Sequence, residues 1–491
     1  PREMGCAVRP GSVELAHGLL DDTGNPGEVR TLMTYAATTG AADNLEFACT
    51  DAGIYDVTLG GSGPWVPMLP WDITGGNAGW CSFVNWTNLV GDHWLLVCDE
   101  ANGYWIFDGT DWSQGSFSGG SPDPVNMVQI SEWSNRLLFV ERDTATAWYL
   151  DVGDLAGQVA PIDLGNRFIK GGYLVQILDW TIDDGEGMDD KLVVLSSGGD
   201  FLAFSGINPD VASEFVLDGR WFIGAPPVGR RAMSSWAGDV MITTSFGVVR
   251  ASSIIAGRPL AANSRESKNI TRYFRTDMRE LIQEYGWQAE FSAQDGFGVF
   301  SVPRPAGDTR SPHQYCLNID TGAWSVFRDL DIRCMEKSVA GFHFGDKTGS
   351  VWNLTGALDN VTLAGSESKT IWYSFLTHYD PLDAPSSWKQ VQFVRPAFVG
   401  TVTPAYRVDV FYDFDLTTPG GAPPLAGELP AGLWDVNTWD QANWAGALNS
   451  QSDLRGASGM GRHVAIAMSG QAGSILAILG MDVVYTVGGM L

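Results

Sequence analysis

The chain has 491 residues, with 30 Lys plus Arg against 57 Asp plus Glu and a formal charge of −27. So acidic a polypeptide excludes a general nucleic-acid binder, which needs a large basic surface to neutralise phosphates. Gly and Pro supply about a sixth of the residues, 18% are charged and 44% are hydrophobic, which excludes a helical bundle and a disordered chain and leaves a turn-rich all-β protein.

In chain order, residues 1–30 read as an N-terminal arm, free to join the C-terminal domain. Its opening Pro1-Arg2-Glu3-Met4 has no initiator Met and no apolar signal core, so a processed or trimmed start is one reading. From residue 31 to residue 365 one unit recurs: an apolar strand, a short polar turn with Gly or Asp, and a second apolar strand. It occurs at 45–57, 93–107, 135–152, 191–206, 239–252, 315–327 and 342–354. The mean step is roughly 50 residues, the range of β-propeller blades. Runs such as Leu95-Leu96-Val97, Leu137-Leu138-Phe139-Val140 and Leu192-Val193-Val194-Leu195 are apolar without alternation. Such strands are covered on both faces, as in a blade between two neighbours. The competing arrangement is a pair of β-sandwiches with evenly spaced hairpins. The G-H and terminal W-D signature of WD repeats is absent from these hairpins.

A helical insertion is expected over about 264–285, with Ile270, Phe274, Met278, Leu281, Ile282 and Tyr285 on one face, Ser264 as N-cap and Gly286 past its end. The other face carries a basic stripe of Arg265, Lys268, Arg272, Arg275 and Arg279. That stripe is either a solvated face paired with Glu266, Glu280 and Glu284 or a contact with phosphate or an acidic neighbouring subunit. Residues 366–491 read as a β-sandwich or platform domain, with strands at 371–398, 406–416, 463–468, 474–479 and 483–487. Trp434, Trp439 and Trp444 fall at steps of five, which suits neither a helix nor a strand face. They are read as loop rings packed against a sheet. No run is long and apolar enough to span a membrane, since 474–491 is broken by Gly480, Asp482 and Gly488-Gly489.

Chemistry is sparse in this pattern. No two of the six histidines lie close enough in sequence for a zinc motif, and no phosphate loop or nucleophile elbow stands at a strand-to-helix junction. Catalytic residues, metal ligands and cofactors are therefore not expected. The densest acidic cluster, Asp179, Asp183, Asp184, Glu186, Asp189 and Asp190, lacks the spacing and closing Glu of a calcium loop and reads as an acidic loop. Cys6, Cys49, Cys81, Cys98, Cys316 and Cys334 form no C-x-x-C pair, so reduced thiols and assembly in a reducing cytoplasm are expected. Trp105, Trp148, Trp324 and Trp352 sit inside strands and read as packing residues.

Several stretches resemble the tail nozzle, or tail tubular protein B-like, proteins of short-tailed bacteriophages. They are Val29-Arg30-Thr31-Leu32 with Gly53-Ile54-Tyr55-Asp56-Val57, Asn135-Arg136-Leu137-Leu138-Phe139-Val140 with Trp148-Tyr149-Leu150, and Gly171-Gly172 with Asp183-Asp184-Gly185-Glu186-Gly187. Thr321-Gly322-Ala323-Trp324, Gly349-Ser350-Val351-Trp352 and the Trp434/Trp439/Trp444 run continue the pattern. The resemblance implies a propeller with a platform domain, six copies in a ring at the distal end of a virion tail, and a channel for double-stranded DNA. It also implies a tail adaptor or connector on one side and fibres or spikes on the other. On that reading the acidic cluster faces the channel, where like charge keeps DNA from being gripped, and the basic stripe is a subunit contact. The alternative function is a glycan-binding or glycan-hydrolysing propeller; a secreted binding module is a third reading.

Overall fold

The structure is a computed structural model. It describes residues 5–37, 40–119, 122–183, 188–211, 213–257, 266–305, 307–364, 368–400, 404–415, 449–452 and 454–489. The chain divides into two compact units, one of residues 15–353 and one that joins 1–14 to 354–491.

The larger unit is a β-propeller. Seven antiparallel sheets follow one another along the chain. Blade 1 is Thr31–Tyr35, Leu45–Cys49, Gly53–Asp56 and Leu69–Pro70; blade 2 is Cys81–Thr87, His93–Asp99, Gly103–Phe107 and Trp112–Gln114. Blade 3 is Met127–Trp133, Arg136–Glu141, Thr146–Tyr149 and Ala160–Asp163; blade 4 is Leu174–Asp183, Met188–Ser196, Asp200–Gly206 and Phe215–Phe222. Blade 5 has three strands, Met233–Trp236, Asp239–Thr244 and Gly247–Arg250. Blade 6 is Ala289–Ser292, Phe297–Phe300, His313–Asn318 and Trp324–Arg328. Blade 7 takes Cys334–Lys337, Phe342–Gly345 and Val351–Leu354 from late in the chain, and its fourth strand, Ser12–Ala16, from the start. The last sheet is thus completed by the first residues, which covers an edge that would otherwise be open for pairing.

The doubly apolar strands explain why blades stack. In His93–Asp99, Leu95 and Val97 pack with blade 1, while Leu96 and Cys98 pack with blade 3. In Arg136–Glu141, Leu137 and Phe139 face blade 2, and Leu138 and Val140 face blade 4. Leu192 and Val194 turn to blade 3, Val193 and Leu195 to blade 5. Alternate side chains leave opposite faces of a strand, so a run without polar residues serves two cores at once. The ring closes where Cys334 and Val351 of blade 7 meet Leu32, Ala48 and Tyr55 of blade 1.

Four tryptophans do more than fill space. The indole N–H of Trp105 donates to the Asn102 carbonyl at 3.2 Å, that of Trp148 to Glu141 Oε2 at 2.9 Å, and that of Trp352 to Asp346 Oδ2 at 2.9 Å. Each ties a third strand back to the preceding turn or, for Trp148, to the end of the second strand. Trp324 instead donates to the Glu266 carbonyl at 2.8 Å. The sixth repeating hairpin of the sequence, 315–327, forms the third and fourth strands of its blade rather than the second and third. The true second strand, Phe297–Phe300, is followed by a long connection that hides it from a search for short turns.

Where a fourth strand of blade 5 would follow, the chain runs through helix α1 (Ala251–Ile255), a short 3-10 turn (Glu266–Asn269) and helix α2 (Thr271–Leu281). The expected helix is therefore shorter, ending at Leu281, with Ile282 half-buried and Tyr285 exposed beyond it. Phe274, Met278 and Leu281 are buried against blades 5 and 6 as the spacing predicts. Gly286 has φ 105° and lies five residues past the helix end. Ser264 lies outside the described residues.

The smaller unit has two facing sheets. One orders Cys6–Ala7, Leu476–Val487, Lys389–Gly400 and Asn449–Ser452; the other orders Ile371–Leu376, Val464–Ala472 and Ala405–Tyr412. Phe398, Tyr406, Met468, Leu476 and Ile478 form part of the core between them. The strands expected at 474–479 and 483–487 are one continuous strand, because Asp482 remains in the ladder opposite Arg395 and is bonded to it at 3.0 Å through Nε. Trp434, Trp439 and Trp444 lie outside the described residues.

Candidate functional site

The first strands of the seven blades touch one another in cyclic order and so surround the propeller axis. Between them runs a chain of side-chain-to-backbone bridges. The Gln129 amide donates to the Ile177 carbonyl at 2.9 Å and accepts from the Ile177 N–H at 3.2 Å, joining blades 3 and 4. Gln176 does the same with Met233 at 3.0 and 2.7 Å, joining blades 4 and 5. Gln288 does it with Met335 at 2.7 and 3.2 Å, joining blades 6 and 7. Ser82 bonds Ile130, Ser234 bonds the Ala289 carbonyl, and Asn85 bonds the Thr34 carbonyl. An inward-facing strand edge has no ladder partner for its amides, and these side chains satisfy them.

Arg231 precedes blade 5 and crosses the hub. Its guanidinium donates to the Arg30 carbonyl at 3.1 Å, Thr31 Oγ1 at 2.6 Å, the Cys81 carbonyl at 2.9 Å and Gln288 Oε1 at 3.4 Å. It also stands 5.4 Å from the centre of the Trp80 ring. One side chain thereby links blade 5 to blades 1 and 2 and to the start of blade 6. Its neighbour Arg230 forms ion pairs with Glu100 and, at 3.8 Å, with Asp143.

These residues border a cavity of about 740 Å³ within the propeller. Trp80, Tyr173, Tyr285 and Trp287 contribute aromatic wall, and Glu290 and Glu336 contribute carboxylates. Both tryptophans are buried, while Tyr173 and Tyr285 are about 40% exposed. Burial raises the Glu290 carboxyl to about 7. Glu336 is raised well above the usual range by burial, with the charges of Glu290 and Glu46 adding to it and Arg231 opposing.

The acidic cluster expected from sequence is divided by the fold. Asp179 is half-buried on the inner strand of blade 4 and Asp190 is exposed on the second strand. Asp183 and Asp189 belong to the paired ends of these strands, and Asp184 and Glu186 lie outside the described residues. Asp179 is pushed up to about 6 by burial and by the charges of Asp190 and of Glu132 on blade 3. Glu132 did not enter the sequence-derived cluster, yet a signal existed. Asn85-Trp86, Glu132-Trp133 and Asp179-Trp180 are spaced by 47 residues, as are Ser82, Gln129 and Gln176. The repeat places an inter-blade bridge and, three residues on, a polar residue followed by a buried Trp.

Of the basic stripe, Lys268, Arg272, Arg275 and Arg279 are exposed and Arg265 lies outside the described residues. Arg275 covers the Phe246 ring at 3.9 Å. Two of the three acids expected as helix partners are engaged elsewhere: Glu266 with Arg250 at 2.8 Å and Glu280 with Arg310 at 2.6 Å. Among the described residues Lys268, Arg272 and Arg279 have no ion pair. The inner face of α2 is pinned by Asp277, which accepts from Tyr315 at 2.5 Å and from His313 Nε2 at 2.9 Å. Arg304 donates to His313 Nδ1 at 2.7 Å, which fixes the proton on Nε2. Burial opposes the Asp277 charge, but the His313 and Tyr315 bonds prevail and hold its carboxyl below the usual range. All six cysteines are free thiols, and Cys49 and Cys81 approach only to 3.9 Å between sulfurs.

No protein family and no curated protein sequence matches the chain. Among solved structures it is similar to the WD40 β-propeller domain of Doa1, at 12% identity and TM-score 0.41 over 70% of this chain and 96% of that one. It is also similar to YCF48 from Cyanidioschyzon merolae, at 12% identity and TM-score 0.39 over 67% and 96%. A third likeness, to Raptor of Chaetomium thermophilum at 9% identity and TM-score 0.40, covers 72% of this chain and 30% of that one. All three are likenesses of fold.

Proposed function

We propose that the chain is a structural, non-catalytic component of a bacteriophage tail nozzle, of which six copies form a ring around a passage for double-stranded DNA. The observation that carries the structural half is the hub. Its glutamines, serines and crossing arginine are engaged in holding blade to blade, an arrangement suited to a rigid building block. The tail half rests on the sequence resemblance in Gly53-Ile54-Tyr55, Asn135–Val140 and Gly349–Trp352, and on the charge of −27. An acidic wall lets DNA pass, because each basic phosphate contact would release counterions and add affinity. The exposed Lys268, Arg272 and Arg279, without an ion pair among the described residues, supply a complementary surface for an acidic neighbouring copy, and further surfaces serve the connector and the fibres. The location is the virion tail, after assembly in the host cytoplasm. The glycan reading would draw on the half-exposed Tyr173 and Tyr285 and the acids of the same cavity, whose two tryptophans are buried. Electron microscopy of the purified full chain tests the proposal: rings with a central passage are expected, and isolated particles at every concentration overturn it. Release of reducing ends from host polysaccharide would overturn the non-catalytic half.

A further inference from the structure

The hub cavity has an unbalanced set of charges. Glu100, Asp143, Glu284, Glu290 and Glu336 line it together with Arg142, Arg230 and Arg231. Each arginine is already bound. Arg142 donates to the carbonyls of Glu100 and, at 3.2 Å, Val125; Arg230 pairs with Glu100 and Asp143; Arg231 serves the four acceptors of the cross-hub link. Glu46, the other acid near Glu336, is taken by His343 Nδ1 at 3.0 Å and Ser338 at 2.8 Å. Glu290 and Glu336, from adjacent inner strands of blades 6 and 7, have no ion pair among the described residues, and the Glu290 carboxyl accepts only from the Phe291 backbone N–H. Two carboxylates this deep in protein, open to a cavity and influenced by Arg231 only from outside ion-pair range, are destabilising when ionised. The cavity volume suits a small organic molecule, and exposed aromatic rings at its wall favour a cation over an anion.

We propose that the propeller hub is a binding site for an organic cation, an alkylammonium or guanidinium group held between Glu290 and Glu336. The site is independent of the tail reading. The group could belong to a free amine or to a Lys or Arg side chain of a partner polypeptide, and the two sources are separable. Binding requires both carboxylates ionised, so protons are released when the cation enters near neutral pH, and affinity rises from pH 6 to pH 8. The groups that face this equilibrium are Glu290, Glu336 and Glu46 on the acidic side and Arg231 on the basic side.

Calorimetry of the full chain with 1,4-diaminobutane and with a short Lys/Arg peptide tests the site. The expected result is one saturable site for at least one probe, tighter at pH 8 than at pH 6, with a heat that depends on the buffer's own protonation enthalpy. Glu290→Gln and Glu336→Gln should each weaken it about tenfold or more, roughly 1.4 kcal/mol, while the exposed Asp72→Asn leaves it unchanged. Both glutamine variants remove an unmatched buried charge, so they fold; circular dichroism verifies this. Saturation by the diamine alone assigns a free amine, and saturation by the peptide assigns a partner side chain. No saturable heat with either probe, or equal weakening by Asp72→Asn, overturns the proposal and leaves a carboxyl pair that shares a proton.

Discussion

At the scale of single residues, the hub is held by side chains that complete the backbone hydrogen bonding of a neighbouring blade. Truncating Gln176 leaves the buried N–H and C=O of Met233 without partners, and an unsatisfied buried polar group costs about 1 to 3 kcal/mol. Gln176→Ala should therefore lower the unfolding free energy of the propeller by about 2 kcal/mol in urea titration; an unchanged midpoint would show that water replaces the amide. Asp179 predicts the pH dependence. Its folded-state pKa of about 6 lies above the ordinary 3.8, so the folded state binds the extra proton between those values. Stability from this group is therefore greatest below pH 3.8 and declines as pH rises through 6. At about 1.4 kcal/mol per pKa unit, reduced for a half-buried group that water still screens, Asp179→Asn should stabilise the protein by about 1 to 2 kcal/mol at pH 8 and leave it nearly unaltered at pH 4. Thermal melts at the two pH values decide it, and equal effects at both would contradict the assigned cause. Acidic density placed Asp179 and Asp190 together but did not reach Glu132. The dense run at 183–190 drew attention within one hairpin, whereas the carboxylate that acts on Asp179 across blades, Glu132, is 47 residues away.

At the scale of elements, apolar runs without alternation revealed strands buried on both faces, and six of the seven repeating hairpins are second and third strands of blades. What stayed hidden has physical causes. Blade 7 draws its outer strand from residues 12–16, a pairing across more than 300 residues that no local pattern encodes. Blade 6 hides its second strand before a long connection. Helix α2 is shorter than its periodicity suggested because the chain turns after Leu281 so that Trp287 can donate to the Leu281 carbonyl at 2.9 Å. The inner face of α2 is anchored through Asp277, so its basic outer face is presented from a fixed base. Reversing Arg272 and Arg275 to Glu should leave the melting curve nearly unchanged, as exposed charges contribute little to monomer stability, yet should abolish ring assembly in sedimentation velocity. Normal assembly of the double variant would remove α2 from the subunit contact.

At the scale of the whole molecule, residues 1–14 and 354–491 cluster in one unit and residues 15–353 in the other, so the propeller sequence is inserted between two parts of the smaller unit's sequence. The first strand, Cys6–Ala7, pairs there with Leu476–Val487, and a few residues later the chain supplies the closing strand of blade 7. The sequence resemblance supplies the ring and the tail; the fold supplies a propeller whose hub is bridged by its own side chains. Native mass spectrometry of the full chain reads the assembly state directly. A dominant six-copy species that dissociates at high salt, as interfacial charge is screened, is the expected result. A monomer that persists across concentration and salt would contradict it.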